Sequence, residues 1–170
     1  GYSDGTSMAA PHVSGIVAII SQYLEDTGCT ATLSDRIELI GNMLMSTADV
    51  VYIPSDDGEN KVPFSPRVQG AGLVNTANAL KTPVILYADN RKTKIEFGDN
   101  LTDTLEIEFT AQNLTENDVV YDKISAVALT DGYLTDNGVN YISGTKLLKS
   151  ELITDSDTVV VPANSTVTVS

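Results

Sequence analysis

The sequence predicts an α+β chain, with a helical first part over residues 1–81 and an all-β sandwich over residues 82–170. Three observations carry this. Residues 7–25 are apolar on nearly every face of a helix, alternation of period two takes over after Lys81-Thr82-Pro83, and turn residues then recur between short β-branched runs. The length of 170 residues suits one domain or two small ones and leaves ample chain for a core. With 42% hydrophobic and 19% charged residues, intrinsic disorder is excluded.

In the first helix Met8, Ala9, Val13, Ile16, Val17, Ile19, Ile20, Tyr23 and Leu24 are read as covering nearly every face, which predicts a buried helix. Pro11 is expected in its first turn and Gly28 marks its end. Ser7, His12, Ser14, Ser21 and Gln22 place such a helix inside a large soluble protein rather than across a membrane. A second helix is expected over residues 34–46, where Ile37, Ile40 and Leu44 share a stripe and Thr32-Leu33-Ser34-Asp35 supplies the cap. Residues 54–66, with three prolines and Asp56-Asp57-Gly58, read as a surface loop, and residues 75–80 as a short closing helix.

In the second part, Leu105, Ile107, Phe109 and Ala111 alternate with polar residues as a half-buried strand does. Similar runs fall at 84–87, 93–97, 119–129, 158–161 and 166–170, with turns expected at Asp99-Asn100, Asn113, Asp131-Gly132, Asn137-Gly138 and Pro162-Ala163-Asn164. Short strands with spaced turns favour a sandwich. Val167 and Val169 still alternate at the end, so the last strand is expected to be cut short.

The net charge is −13, with 23 acidic against 10 basic residues, which excludes nucleic acid and anionic membrane surfaces as partners. Cys29 is the single cysteine, so no internal disulfide forms, and with no basic neighbour it is not expected to be a reactive thiol. Gly1-Tyr2-Ser3-Asp4 has no initiator Met, basic region or apolar run, and reads as the start of a piece of a longer protein.

The chemistry lies in Gly5-Thr6-Ser7-Met8-Ala9-Ala10-Pro11-His12-Val13-Ser14-Gly15. It places a serine at the entrance of an apolar helix, behind a glycine that permits unusual backbone and beside N–H groups that the helix leaves unpaired. Residue types alone leave two roles open for this serine: helix cap or nucleophile. The whole string resembles the nucleophile segment of the subtilisin-like serine proteases almost letter for letter. Residues 39–48 and Gln69-Gly70-Ala71-Gly72-Leu73-Val74-Asn75 are similar to the closing helices and loops of that α/β catalytic domain. The β-region, with residues 100–109 and Val160-Val161-Pro162-Ala163-Asn164-Ser165, looks like the fibronectin-III-like domain that follows in the cell-envelope proteinases of Gram-positive bacteria.

The resemblance implies a secreted or wall-attached serine endopeptidase acting on peptide substrates. Ser7 is then the nucleophile, and its own backbone N–H one oxyanion donor. The family order Asp, His, Ser puts the other triad members, and the oxyanion-hole asparagine, in a preceding segment. His12, the only histidine, is not the base: five residues at about 100° each set it about 140° around the helix from Ser7. It is expected to be a structural residue. Without a base the serine is a weak nucleophile, so this chain alone is expected to be inactive, and to self-associate through the uncovered residues 8–24.

No cofactor is expected. The oxygen-rich Asp56-Asp57-Gly58-Glu59-Asn60 does not follow an EF-hand and reads as a solvated loop, so nothing in this chain supports calcium, which is left open for the intact protein. Asn100, Asn113 and Asn164 lie in sequons but are expected to be turn residues. Tyr121, Tyr133 and Tyr141 fit either core filling or a binding face. The competing functional reading is that residues 82–170 are a non-catalytic binding or spacer module.

Overall fold

The apolar run after Gly5 forms helix α1, Thr6–Asp26, and the cap and stripe after Gly28 form α2, Leu33–Ser46. These helices belong to a computed structural model that describes residues 5–54, 61–98, 103–122, 125–154 and 158–170. By contacts the chain groups into two units, one of Gly1–Ala48, Val74–Val119 and Val160–Ser170, the other of Asp49–Leu73 and Val120–Val159. The first unit thus runs across the division expected at Lys81-Thr82-Pro83.

In the first unit, α1 and α2 pack together and against α4, Thr76–Lys81. The Thr32 hydroxyl accepts from the Asp35 N–H and caps α2, and the Asn75 side chain caps α4 by accepting from the Asn78 N–H at 2.9 Å. Ile20 and Leu24 of α1, Ile40 and Met43 of α2 and Ala79 of α4 form the core, closed by Ile85 of strand β3, Val84–Tyr87. β3 is an edge of an antiparallel sheet in which the central β4, Phe109–Asn113, also pairs with β9, Thr166–Val169. Leu86 faces Ala111, and Ala111 faces Val167.

The cover expected around α1 is not complete in this chain. Only Ile20 and Leu24 are buried, while Ile19 is 54% exposed and Met8, Val13 and Tyr23 also reach solvent, because α2 and α4 pack on one face alone. Pro11 is not in the first turn, since the helix begins at Thr6. In the second turn Pro11 withholds the N–H that would otherwise bond the Ser7 carbonyl. Among the described residues no helix is long and apolar enough to cross a membrane.

Asn164 is a turn residue, as expected, whereas Asn113 is the last residue of strand β4, and its side chain holds the turn that follows. The Asn113 side-chain oxygen accepts from the Thr115 N–H and hydroxyl, both at 2.8 Å, and its side-chain NH2 donates to the Asn117 and Val161 carbonyls. Asn164 adopts a left-handed φ of 50° and its N–H donates to the Thr115 carbonyl. Asn100 lies outside the described residues. Because Asn113 is 2% exposed and Val161 0%, Asn113→Ala strands buried polar groups. It is expected to cost about 2–4 kcal/mol in urea unfolding, and a cost below about 1 kcal/mol would contradict the assigned bonds.

The second unit corrects the reading of residues 54–66 as loop alone. Strand β2, Lys61–Pro63, lies within that span and pairs antiparallel with β1, Tyr52–Pro54, and helix α3, Pro66–Gln69, starts at its end. Three-residue strands show no detectable periodicity, so pairing alone reveals them. The acidic stretch Asp56–Asn60 lies outside the described residues. Strands β6, Leu129–Asp136, and β7, Val139–Leu147, form a long hairpin turned by Asn137 and Gly138, whose φ values of 50° and 78° suit a two-residue turn. Asp131-Gly132 is no turn: Gly132 lies inside β6 at a register shift, where a glycine tolerates the irregularity. The Thr145 hydroxyl donates to the Pro63 carbonyl, and Arg67 lies beside Asp131.

The remaining strands are shorter than expected. Residues 93–97 and 104–108 lie outside the strands, and the expected strand over 119–129 contributes only β5, Val119–Tyr121, which pairs with β8, Val159–Val161. Alternation marks a face that could be half-buried, but a strand forms only where a partner supplies the ladder.

Candidate active site

Gly5 is the N-cap of α1, at φ 125° and ψ 169°, a conformation that side chains rarely adopt. Its carbonyl accepts from the N–H groups of Met8 at 3.0 Å and Ala9 at 3.1 Å, which opens the helical ladder. Ser7 is the second helical residue, ahead of that ladder, in the part of a helix where N–H groups have no intrahelical acceptor. The N-cap has no side-chain hydrogen bond, so neither Thr6 nor Ser7 serves as the cap. Among the described residues nothing hydrogen-bonds to the Ser7 hydroxyl, which is exposed.

His12 and Ser7 are not brought together. The His12 ring donates through Nδ1 to the Met8 carbonyl at 2.7 Å, four residues back, which fixes the imidazole along the helix wall. Ser14 makes the same kind of bond to the Ala10 carbonyl at 3.0 Å. These bonds join side chains to backbone within one helix, as a structural role requires. Cys29 is a free, half-buried thiol beside the core. Among the described residues no group of histidine, cysteine and carboxylate side chains is placed to hold a metal ion. Tyr121 and Tyr133 are exposed, at 41% and 54%, so neither fills the core, and the side chain of Tyr141 is outside the described set.

One residue near the closing loop was not singled out from sequence. The Gln69 side chain pairs with Val51 as a strand would: its carbonyl accepts from the Val51 N–H at 2.8 Å and its amide donates to the Val51 and Phe64 carbonyls. Beside it, the N–H and carbonyl of Asp49 and Leu73 exchange two bonds of 2.8 Å. Residue type gave no signal here, because an exposed glutamine and a pairing one look alike in sequence.

Comparison with known proteins places these features. Residues 1–78 match the peptidase S8 family, the subtilase family. The chain is 36% identical to a C5a peptidase of Streptococcus pyogenes serotype M6 over 113 residues, covering 66% of this chain and 9% of the relative. It is 29% identical to a PII-type proteinase of Lacticaseibacillus paracasei and 27% identical to one of Lactococcus lactis subsp. cremoris, each over 98% of this chain and 9% of the relative. The chain therefore spans about a tenth of the length of these relatives, at 9%. With the segment Gly5–Gly15 at the head of α1 and these matches around it, residues 1–78 are a segment of the subtilase family.

Proposed function

We propose that this chain is part of a secreted or wall-attached subtilisin-like serine endopeptidase of a Gram-positive bacterium, with Ser7 as its nucleophile. The observation that carries the reading is an exposed serine hydroxyl that caps nothing, held at the second position of α1 within the family's own motif. The Ser7 Oγ attacks the scissile carbonyl carbon while a histidine from a preceding segment takes its proton. The Ser7 N–H, unpaired by the helix, helps hold the oxyanion. The same histidine returns the proton to the departing amine, and water then hydrolyses the ester on Ser7.

Residues 1–81 on this reading are the end of the peptidase domain, and 82–170 a fibronectin-III-like module that contributes no catalytic group. The exposed Tyr121 and Tyr133 support a binding or spacer role for that module. The uncovered apolar face of α1 supports self-association of the isolated chain through residues 8–24.

A fluorophosphonate probe tests the assignment. It is expected to label Ser7 in the intact protein and to leave the isolated 170-residue chain unlabelled. Absence of label from the intact protein would overturn the nucleophile, and labelling of the isolated chain would overturn the need for a histidine supplied from elsewhere.

A further inference from the structure

Helix α2 carries Glu38, Asn42 and Ser46 at intervals of four, hence on one face. Such a stripe ordinarily meets water, yet Asn42 is 3% exposed. All three side chains reach one short segment. The Ser46 hydroxyl accepts from the Leu86 N–H at 2.9 Å. Asn42 donates to the Arg91 carbonyl at 3.1 Å, and its oxygen shares the Thr93 hydroxyl, 3.0 Å away, with the Leu86 carbonyl at 2.6 Å. The Glu38 carboxylate pairs with the Arg91 guanidinium. Arg91 itself sits at a left-handed φ of 59°, in a turn closed by its own N–H on the Ala88 carbonyl at 2.7 Å. On the apolar side, Ile85 is 2% exposed and completes the core formed by α1, α2 and α4.

We infer that residues 83–93 are a strap that closes the helices of the subtilase segment, so that α2 and the first strand of the β-region open together and not as two linked modules. The family model ends at residue 78, so the strap lies beyond the segment that the model matches. It nonetheless supplies a core residue and the partners of a buried amide. An asparagine this buried costs free energy unless both ends of its amide are paired, and among the described residues the partners come from the strap. The inference rests on packing and is independent of the role of Ser7. Its consequence is that β3, with the strands β4 and β9 of its sheet, is held to α2, which in turn packs on α1.

Amide hydrogen exchange of the 170-residue chain tests the strap through Thr93→Val, which keeps side-chain shape and removes the hydroxyl facing Asn42, and through Asn42→Ala. Each is expected to speed exchange by about tenfold or more, and by the same factor, at the strap amide of Leu86 and the α2 amides of Ile40 and Met43. Faster exchange of Leu86 in Thr93→Val with Ile40 and Met43 unchanged would overturn the inference, as would unequal factors in both variants.

Discussion

Ser7→Ala in the intact protein is expected to lower kcat on a peptide substrate by about 10⁶-fold, as loss of the nucleophile does in subtilisin, while leaving the urea unfolding midpoint within error. The two halves of this result have one physical cause. The Ser7 hydroxyl is exposed and no part of the helix depends on it, because Gly5 is the N-cap and contributes no side chain. Alanine is also the best helix former, so α1 keeps its start. Nothing but chemistry is removed: the oxygen that would form the ester is gone, and only oxyanion stabilisation and binding remain. Retention of more than about 1% of kcat would mean that another group carries the attack. A fall in stability matching the fall in rate would restore the capping role that the geometry denies.

Gly72→Ala is expected to destabilise the second unit by about 3 kcal/mol or more, combining an unfavourable backbone conformation with a steric clash. Gly72 has φ 129°, and a Cβ there would lie 2.3 Å from the Asp49 carbonyl oxygen and 2.8 Å from its carbon. Both are backbone atoms held by the two bonds between Asp49 and Leu73, so no side chain can swing aside. The substitution must break that bridge or distort the turn. Gly70→Ala is the contrast, since Gly70 also has a positive φ, 62°, but open space where the Cβ would go. It should cost less, about 1–3 kcal/mol, from the backbone conformation alone. Urea unfolding of the two variants, with exchange at the Asp49 and Leu73 amides, separates strain from clash. Equal losses would remove the close approach as the reason for a glycine at position 72.

The segment Gly5–Gly15 was legible as a helix start because its information is local: a glycine before the helix, a serine in its first turn and an apolar run behind them occupy eleven consecutive residues. The same holds for α2, whose capping threonine and apolar stripe lie within one stretch, and for the exclusion of His12, which needed only the pitch of a helix. The pairing of β6 with β7 was half legible. Asn137-Gly138 was a turn in sequence, but Asp131-Gly132 carried the same signal and lies inside a strand. Only the register of the partner distinguishes a glycine that turns the chain from one that sits at a bulge.

Asn42, Ser46 and Gln69 were silent for a different reason. Each is an ordinary polar residue whose role depends on a partner between 18 and 51 positions away, and nothing near it in sequence specifies that partner. Likewise the helices alone do not announce that Ile85 completes their core. By itself the sequence determined the subtilase likeness of the first part and the two principal helices, since these follow from short-range pattern and chirality. Only the tertiary structure decided that the helical region continues into the β-region through a strap, and how far α1 is covered. Burial and hydrogen-bond satisfaction belong to pairs of distant segments, and neither segment carries that information by itself.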